Sequence, residues 1–357
     1  TILRANLAAK RPMAVAACYL MEKDLLIISQ MGMVYCLDRR DLTPRWVSAL
    51  KYAIAAVPGE GPSHYTFLVK APDGQYWVHA YSKRTGLDPD GFPALLPFAA
   101  SSGVDSGHQS VYIGSLGSPR NNKTVESVNL ADGSKGWGHR TRGLLWASPV
   151  VDPSGVSLIL AGEDGTVSSL VASADKPVGP TWSVGLDGAV VATPVVTPNH
   201  VVVGTQNGTL RVLDLGNGET LWLEGLDAPI RTSPWVLGRK EKVTRSSGIE
   251  GAADIELEAF KGMAFAHNRN GLFAFDVDSG KKLFHDARAR KPVCWNGNHV
   301  ATLGTNNVLH VRDAAADFDE TAKLHLGMFD IMPTNTTDGA VFGITHDGGV
   351  VVAIPKD

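Results

Sequence analysis

The feature that most constrains this chain is repetition at a fixed interval. Residues 200–222, HVVVGTQNGTLRVLDLGNGETLW, read as a strand, a tight Asn-Gly turn, a second strand, a Gly-containing turn and a Trp. Residues 262–284, GMAFAHNRNGLFAFDVDSGKKLF, repeat that skeleton with Phe in the place of Trp. Asp38 precedes Trp46 by eight residues, and Asn129 to Trp137, Asp214 to Trp222 and Asp276 to Phe284 keep the same offset. In three of these units a glycine, Gly133, Gly218 or Gly280, stands four residues before the aromatic. A chain built of units that cannot each bury a core alone must stack them, as a solenoid or a ring.

Hairpin turns give an independent count. Successive candidates are Met31-Gly32, Asp73-Gly74, a longer loop at 117–123, Asp164-Gly165, Asn207-Gly208, Asn270-Gly271, Asn306-Asn307 and Gly348-Gly349. Asn-Gly and Asp-Gly suit two-residue turns whose central residues need positive φ, and the flanks are rich in Val, Ile, Leu and Thr, as strands require. The spacing averages about 45 residues, near the length of a four-stranded propeller blade. Ser148-Pro149, Thr193-Pro194, Ser233-Pro234, Pro292-Val293 and Met332-Pro333 precede the later turns and mark the first, innermost strand of each unit, where proline removes no ladder donor. The expected fold is therefore all-β: one domain over 1–357, an eight-bladed β-propeller of four-stranded antiparallel blades. The last unit lacks its fourth strand, and a spare segment at 2–8 is expected to pair into it and close the ring. One departure, GRKEKVTRSSGIEGAADIELEA at 238–259, reads as a charged loop insertion in the sixth unit, basic first and acidic after. Another is the lengthened turn at 116–123.

Composition narrows the function. Lys plus Arg total 33 against 36 Asp plus Glu, a net charge of -3 that leaves no basic excess for a nucleic-acid backbone. No run of about 18 apolar residues suggests a membrane-spanning helix. A signal peptide or lipid anchor ahead of Thr1 remains compatible with the sequence. Cys18, Cys36 and Cys294 read as buried small hydrophobes, with a Cys18–Cys36 bridge as the open alternative. The His residues are scattered from His64 to His346 without HExxH or ligand spacing, no GxSxG elbow occurs, and phosphate-cradling glycine loops are absent. The acidic steps Asp88-Pro89-Asp90-Gly91 and Asp276-Val277-Asp278 read as solvated turns. Asn207-Gly208-Thr209 and Asn335-Thr336-Thr337 match glycosylation acceptors.

The run Ala274-Phe275-Asp276-Val277-Asp278-Ser279-Gly280, ending in Phe284, resembles the tryptophan-docking motif of PQQ-like repeat propellers, and residues 80–86, AYSKRTG, resemble it with Ser82 for Asp. The resemblance covers essentially the whole chain; no Trp-Asp dipeptide points to WD40 repeats, and a single Gly-Gly pair argues against kelch. It implies that Trp46, Trp137, Trp182, Trp222 and Phe284 are structural plugs between blades. Within the family, quinoprotein dehydrogenases are much longer and carry an adjacent Cys-Cys pair, which this chain lacks. The BamB-type outer-membrane assembly lipoproteins match better in length. That resemblance implies a non-catalytic protein-binding scaffold without cofactor or metal, working in a bacterial envelope complex outside the cytoplasm with another protein as partner. The alternative is a quinoprotein-type or other small-ligand propeller enzyme using the central funnel. The Arg-Gly step of the BamB-type partner face is matched by Arg142-Gly143. Its acidic pair is not: Pro229 and Arg231 stand ahead of Thr232-Ser233-Pro234. Arg140, Arg142, Arg231, Arg288, Arg290 and Lys291 are expected to form a positive rim at the channel mouth for an acidic partner. Arg239, Lys240 and Lys242 are further candidates on the insertion.

Overall fold

Apolar runs such as DLLIIS at Asp24–Ser29 and HVVVG at His200–Gly204 are buried along their whole length. A strand with both faces covered loses the alternation of a half-exposed one, and neighbouring blades supply those covers. The computed structural model describes residues 2–6, 14–117, 122–173, 175–177, 179–245, 255–345 and 349–353, with backbone alone over 2–6, 239–245 and 255–261. The strands form eight antiparallel sheets, each a meander, arranged as the blades of a propeller.

Blade 1 runs through Val15–Leu20, Asp24–Ser29, Met33–Asp38 and Pro44–Ala49 from hub to periphery. Blades 3 to 7 follow suit, with inner strands Ala100–Ser106, Val150–Val151, Val195–Val196, Trp235–Arg245 and Ala289–Trp295. Blade 2 splits its inner strand into Ala53–Ile54 and Gly59–Glu60, both paired to His64–Lys70. Blade 8 takes three strands from the C-terminal end and its fourth from the N-terminal one. Ile2 pairs with Ala353, and the ladder runs to Asn6 opposite Gly349. The ring is thereby closed by its own two ends.

The hairpin between the second and third strands falls at each expected position that the described residues cover; 118–121 and 346–348 lie outside them. The turn chemistry differs from expectation. Only Asn306 and Asn307 both take positive φ, at 58° and 54°. At Asn207-Gly208 only the glycine does, at 88°, with Gly208 N–H donating to Thr205 O and Thr205 N–H to Thr209 O. That is a three-residue loop, a type I turn followed by a left-handed glycine.

The 238–259 segment also departs from its reading as a loop. Arg239–Arg245 continue the inner strand and pair in register with 255–261, Arg239 opposite Lys261 and Arg245 opposite Ile255. The alternating Lys-Glu-Lys-Val-Thr and Ile-Glu-Leu-Glu runs suit a strand. Residues 246–254 lie outside the described residues. The Cys18–Cys36 bridge is excluded by topology. Cys18 lies on the first strand of blade 1 and packs toward blade 8, whereas Cys36 lies on the third and packs toward blade 2; all three cysteines are free and buried.

Candidate partner-binding face

Each indole or ring at the outer strands reaches the following blade. Trp46 Nε1 donates to Lys83 O at 3.0 Å, Trp137 to Ser173 O at 3.0 Å, Trp182 to Leu215 O at 2.9 Å and Trp222 to Val277 O at 2.7 Å. The glycine of the next blade's motif lies against the indole. A Cβ on Gly86, Gly218 or Gly280 would stand 2.5–2.7 Å from Trp46, Trp182 or Trp222, and each glycine is left-handed. Phe284, which has no N–H, packs on Phe318 at 5.4 Å and under the Arg312 guanidinium.

These plugs fix two faces of the ring. Connectors between blades share one face with the turns between second and third strands, so the functional candidates in those connectors converge there. On it, Arg140 and Arg142 line a groove of about 460 Å³ with Leu116, Leu144 and Glu163. Gly143 permits the close approach, since a Cβ there would lie 2.8 Å from the Asp164 backbone nitrogen. Trp146, 47% exposed, overhangs the same place and donates its Nε1–H to Glu163 Oε2 at 2.8 Å. A half-exposed indole beside arginines that are unpaired among the described residues brings together residue types enriched at protein-binding hot spots. Trp146 escaped the sequence reading because it falls outside the eight-residue offset that marks the plugs.

The remaining predicted rim residues divide. Arg140, Arg142, Arg231 and Arg290 are exposed and make no guanidinium hydrogen bond or ion pair among the described residues. Arg288 is committed instead to Glu320 at 3.2 Å and Asp286 at 3.5 Å. Lys291 turns inward and donates to the Met332 carbonyl between blades 7 and 8. Arg239, Lys240 and Lys242 sit on the extended hairpin strand, and their side chains lie outside the described residues.

Other chemistry sits elsewhere. Asp286, His310 and Glu320 bring possible ligand atoms within 4.8 Å of one another, a cluster hidden from sequence spacing because the sheet assembles it. Arg312 Nη2 already lies on Asp286 Oδ2 at 2.5 Å and 3.9 Å from Glu320 Oε2, and Lys323 reaches Glu320 at 2.9 Å. Cations thus occupy the place a metal would take. Asp88 is no solvated turn residue: it accepts from His79 Nδ1 at 2.6 Å and from Ala80 N–H at 2.7 Å. Asn335 is 1% exposed with both amide atoms engaged, which removes it as a glycan acceptor in the folded chain.

The hub opens on the opposite face into a cavity of about 920 Å³ lined by Arg39, Val195, Val196, Thr197, Val236 and Asp338, among others. Arg39, its most buried charge, is consumed by Met21 O, Glu22 O, Asn335 Oδ1 and Asp338. Side chains also stitch the inner strands to one another. Gly103 N–H donates to Ser148 Oγ, Ser148 N–H to Thr193 Oγ1, and Val151 N–H to Asp105 Oδ2. The hydroxyls before Pro149 and Pro194 therefore each tie one blade to the next.

Comparison with known proteins follows the same lines. A family model described as outer membrane protein assembly factor BamB matches residues 121–293. The curated BamB of Yersinia pestis is 27% identical over 229 residues, 61% of this chain and 51% of that protein. The match thus spans about half the length of the relative. Among solved structures, BamB from Moraxella catarrhalis superposes with a TM-score of 0.63 at 15% identity, covering 100% of this chain and 97% of its own. The computationally designed Ika8 protein gives 0.60 at 14% (97% and 98% covered), and the C-terminal WD40 domain of Sif2 0.57 at 12% (99% of each). At such identities the structures speak for the propeller fold alone.

Proposed function

We propose that this β-propeller, similar in sequence to the outer membrane protein assembly factor BamB, is a PQQ-like repeat protein acting as a non-catalytic protein-binding scaffold of a bacterial envelope assembly, working outside the cytoplasm. The observation that carries this reading is the groove at blades 3 and 4. Its polar groups are not arranged as nucleophile, base and orienting acid; they are the guanidinium groups of Arg140 and Arg142, unpaired among the described residues, beside a half-exposed Trp146 held by Glu163. Rigid blades present that edge while the connectors carry specificity, as loops on a stiff scaffold do. The alternative, a ligand-binding funnel enzyme, would place its chemistry in the hub cavity, whose buried arginine is already spent on internal partners.

The test is affinity purification of the tagged chain from its native source, beside R140E/R142E and Trp146→Ser. The expected outcome is an envelope protein recovered with the wild type and depleted about tenfold or more with either variant, since hot-spot truncations cost upwards of about 2 kcal/mol. An identical set of recovered proteins from all three, or stoichiometric chromophore in the wild type, would overturn the proposal.

A further inference from the structure

Arg231, Arg269 and Arg290 form a second charged sector on the same face, at blades 6 and 7. Arg231 ends the connector entering blade 6, and its neighbour Thr232 donates to the His267 carbonyl at 3.3 Å. Arg269 follows two residues later in the turn, and Arg290 opens the inner strand of blade 7, close enough for its charge to act on the His267 ring. All three arginines are exposed and unpaired among the described residues. Elsewhere Arg39, Arg45, Arg288 and Arg312 each hold a carboxylate. The nearest acids along the chain are Asp227 and Asp286: Asp227 lies at the outer end of the connector, where Leu226 O and Ala228 O hold the Asn268 amide, and Asp286 is already held by Arg288 and Arg312. The inner rim is thus left basic. Burial and then Arg290 depress the His267 imidazole below its ordinary value, and no carboxylate opposes them.

We infer that Arg231, Arg269 and Arg290, gathered around His267, bind a carboxylate-rich segment of a protein partner. The inference rests on the reading of this face as a docking surface and adds the chemistry of what docks. Unpaired guanidinium groups, each a planar fork of donors, suit carboxylates held bidentately. Their spread over a connector, a turn and a strand end suits an extended acidic stretch better than a single small anion.

The experiment is fluorescence anisotropy of a labelled Asp/Glu-rich peptide with the full chain, its R231E/R290E variant and, as a control of equal charge change, R84E/K281E, whose residues are exposed in turns between third and fourth strands on the opposite face, melting curves confirming that each is folded. The wild type is expected to bind with an affinity falling steeply with salt, R231E/R290E to lose about tenfold or more, and R84E/K281E to change less than about twofold. The His267 imidazole, followed by NMR titration, is expected to rise in pKa when the peptide binds. Absence of peptide binding, equal binding by R231E/R290E, competition by inorganic phosphate at the same concentration as peptide, or preference for phosphatidylglycerol vesicles over peptide would each overturn it. Loss of the peptide result with the co-purifying partner retained would leave the scaffold reading standing and remove this inference alone.

Discussion

Asp105 takes a backbone N–H from Val151 in the next blade at 2.8 Å and another from Ser106 at 2.9 Å. It is one of the groups that lock inner strands around the hub. Burial, with the Glu60 carboxylate adding to it, pushes its carboxyl up from 3.8 to about 7. A raised folded-state value means the folded chain holds this proton more tightly than the unfolded chain does. The stabilisation linked to Asp105 is therefore complete below about pH 4 and is lost as pH rises through 7. His64, His139, His200 and His267 are depressed, chiefly by burial. Their contribution has the opposite sign, present above their ordinary value and lost toward acid. Asp105→Asn isolates the first effect from the second. The melting-temperature advantage of the wild type over this variant should shrink steadily between about pH 5 and pH 8, and a gap independent of pH would show that Asp105 does not titrate there.

At the scale of strands and turns, the indole plug and the glycine facing it act as one unit contributed by two blades. Trp182→Ala should cost about 3–5 kcal/mol, the usual loss for a large aromatic in a core. Gly218→Ala should be damaging as well, because it forces a left-handed residue and drives a methyl into the Trp182 ring. Since both changes destroy the same contact, the double variant measured by chemical denaturation should be destabilised by distinctly less than the two losses added. Strict additivity would dissolve the pairing. This interface also shows what the residue order reveals and what it conceals. The repeated Asp/Asn-to-aromatic offset marked the places of Trp46, Trp137, Trp222 and Phe284, because a turn of fixed length connects them. It paired Gly218 with Trp222, its own neighbour in sequence, whereas in space Gly218 serves Trp182. Likewise the charged 238–259 segment looked like a loop because charge and glycine dominate its composition, while its alternation is what the ladder from Trp235 to Arg245 obeys. The basic rim was legible as a set of connector positions. Which members are free was not, since the sheet brings Glu320, on the outer strand of the same blade, to Arg288, and the next blade brings the Met332 carbonyl to Lys291.

The whole ring depends on a seam between its first and last blades, and two devices hold it. One is the backbone ladder between Ile2–Asn6 and Gly349–Ala353. The other is Arg39, on blade 1, which donates to Asn335 Oδ1 at 2.6 Å and Asp338 at 2.9 Å in blade 8 and stacks over Phe342. Asn335 in turn holds Ala340 O, and its N–H reaches Val293 O in blade 7, so the clasp fastens three blades. Removing residues 1–6 leaves blade 8 with an open edge, a site for pairing with another chain. The truncated protein should melt well below the full chain and associate in a concentration-dependent way, and a synthetic peptide of residues 1–8 should restore the melting temperature. Arg39→Met should cost about 1–3 kcal/mol by removing the charged donor that holds the buried Asn335 carbonyl at 2.6 Å, leaving it the longer bonds from Thr337 and Asp338. If both devices close one ring, the clasp has little to hold once the ladder is gone. Arg39→Met introduced into the truncated chain should then lower its melting temperature far less than in the full chain, while an equal drop in both backgrounds would mean that the seam is not a single closure but two independent local contacts.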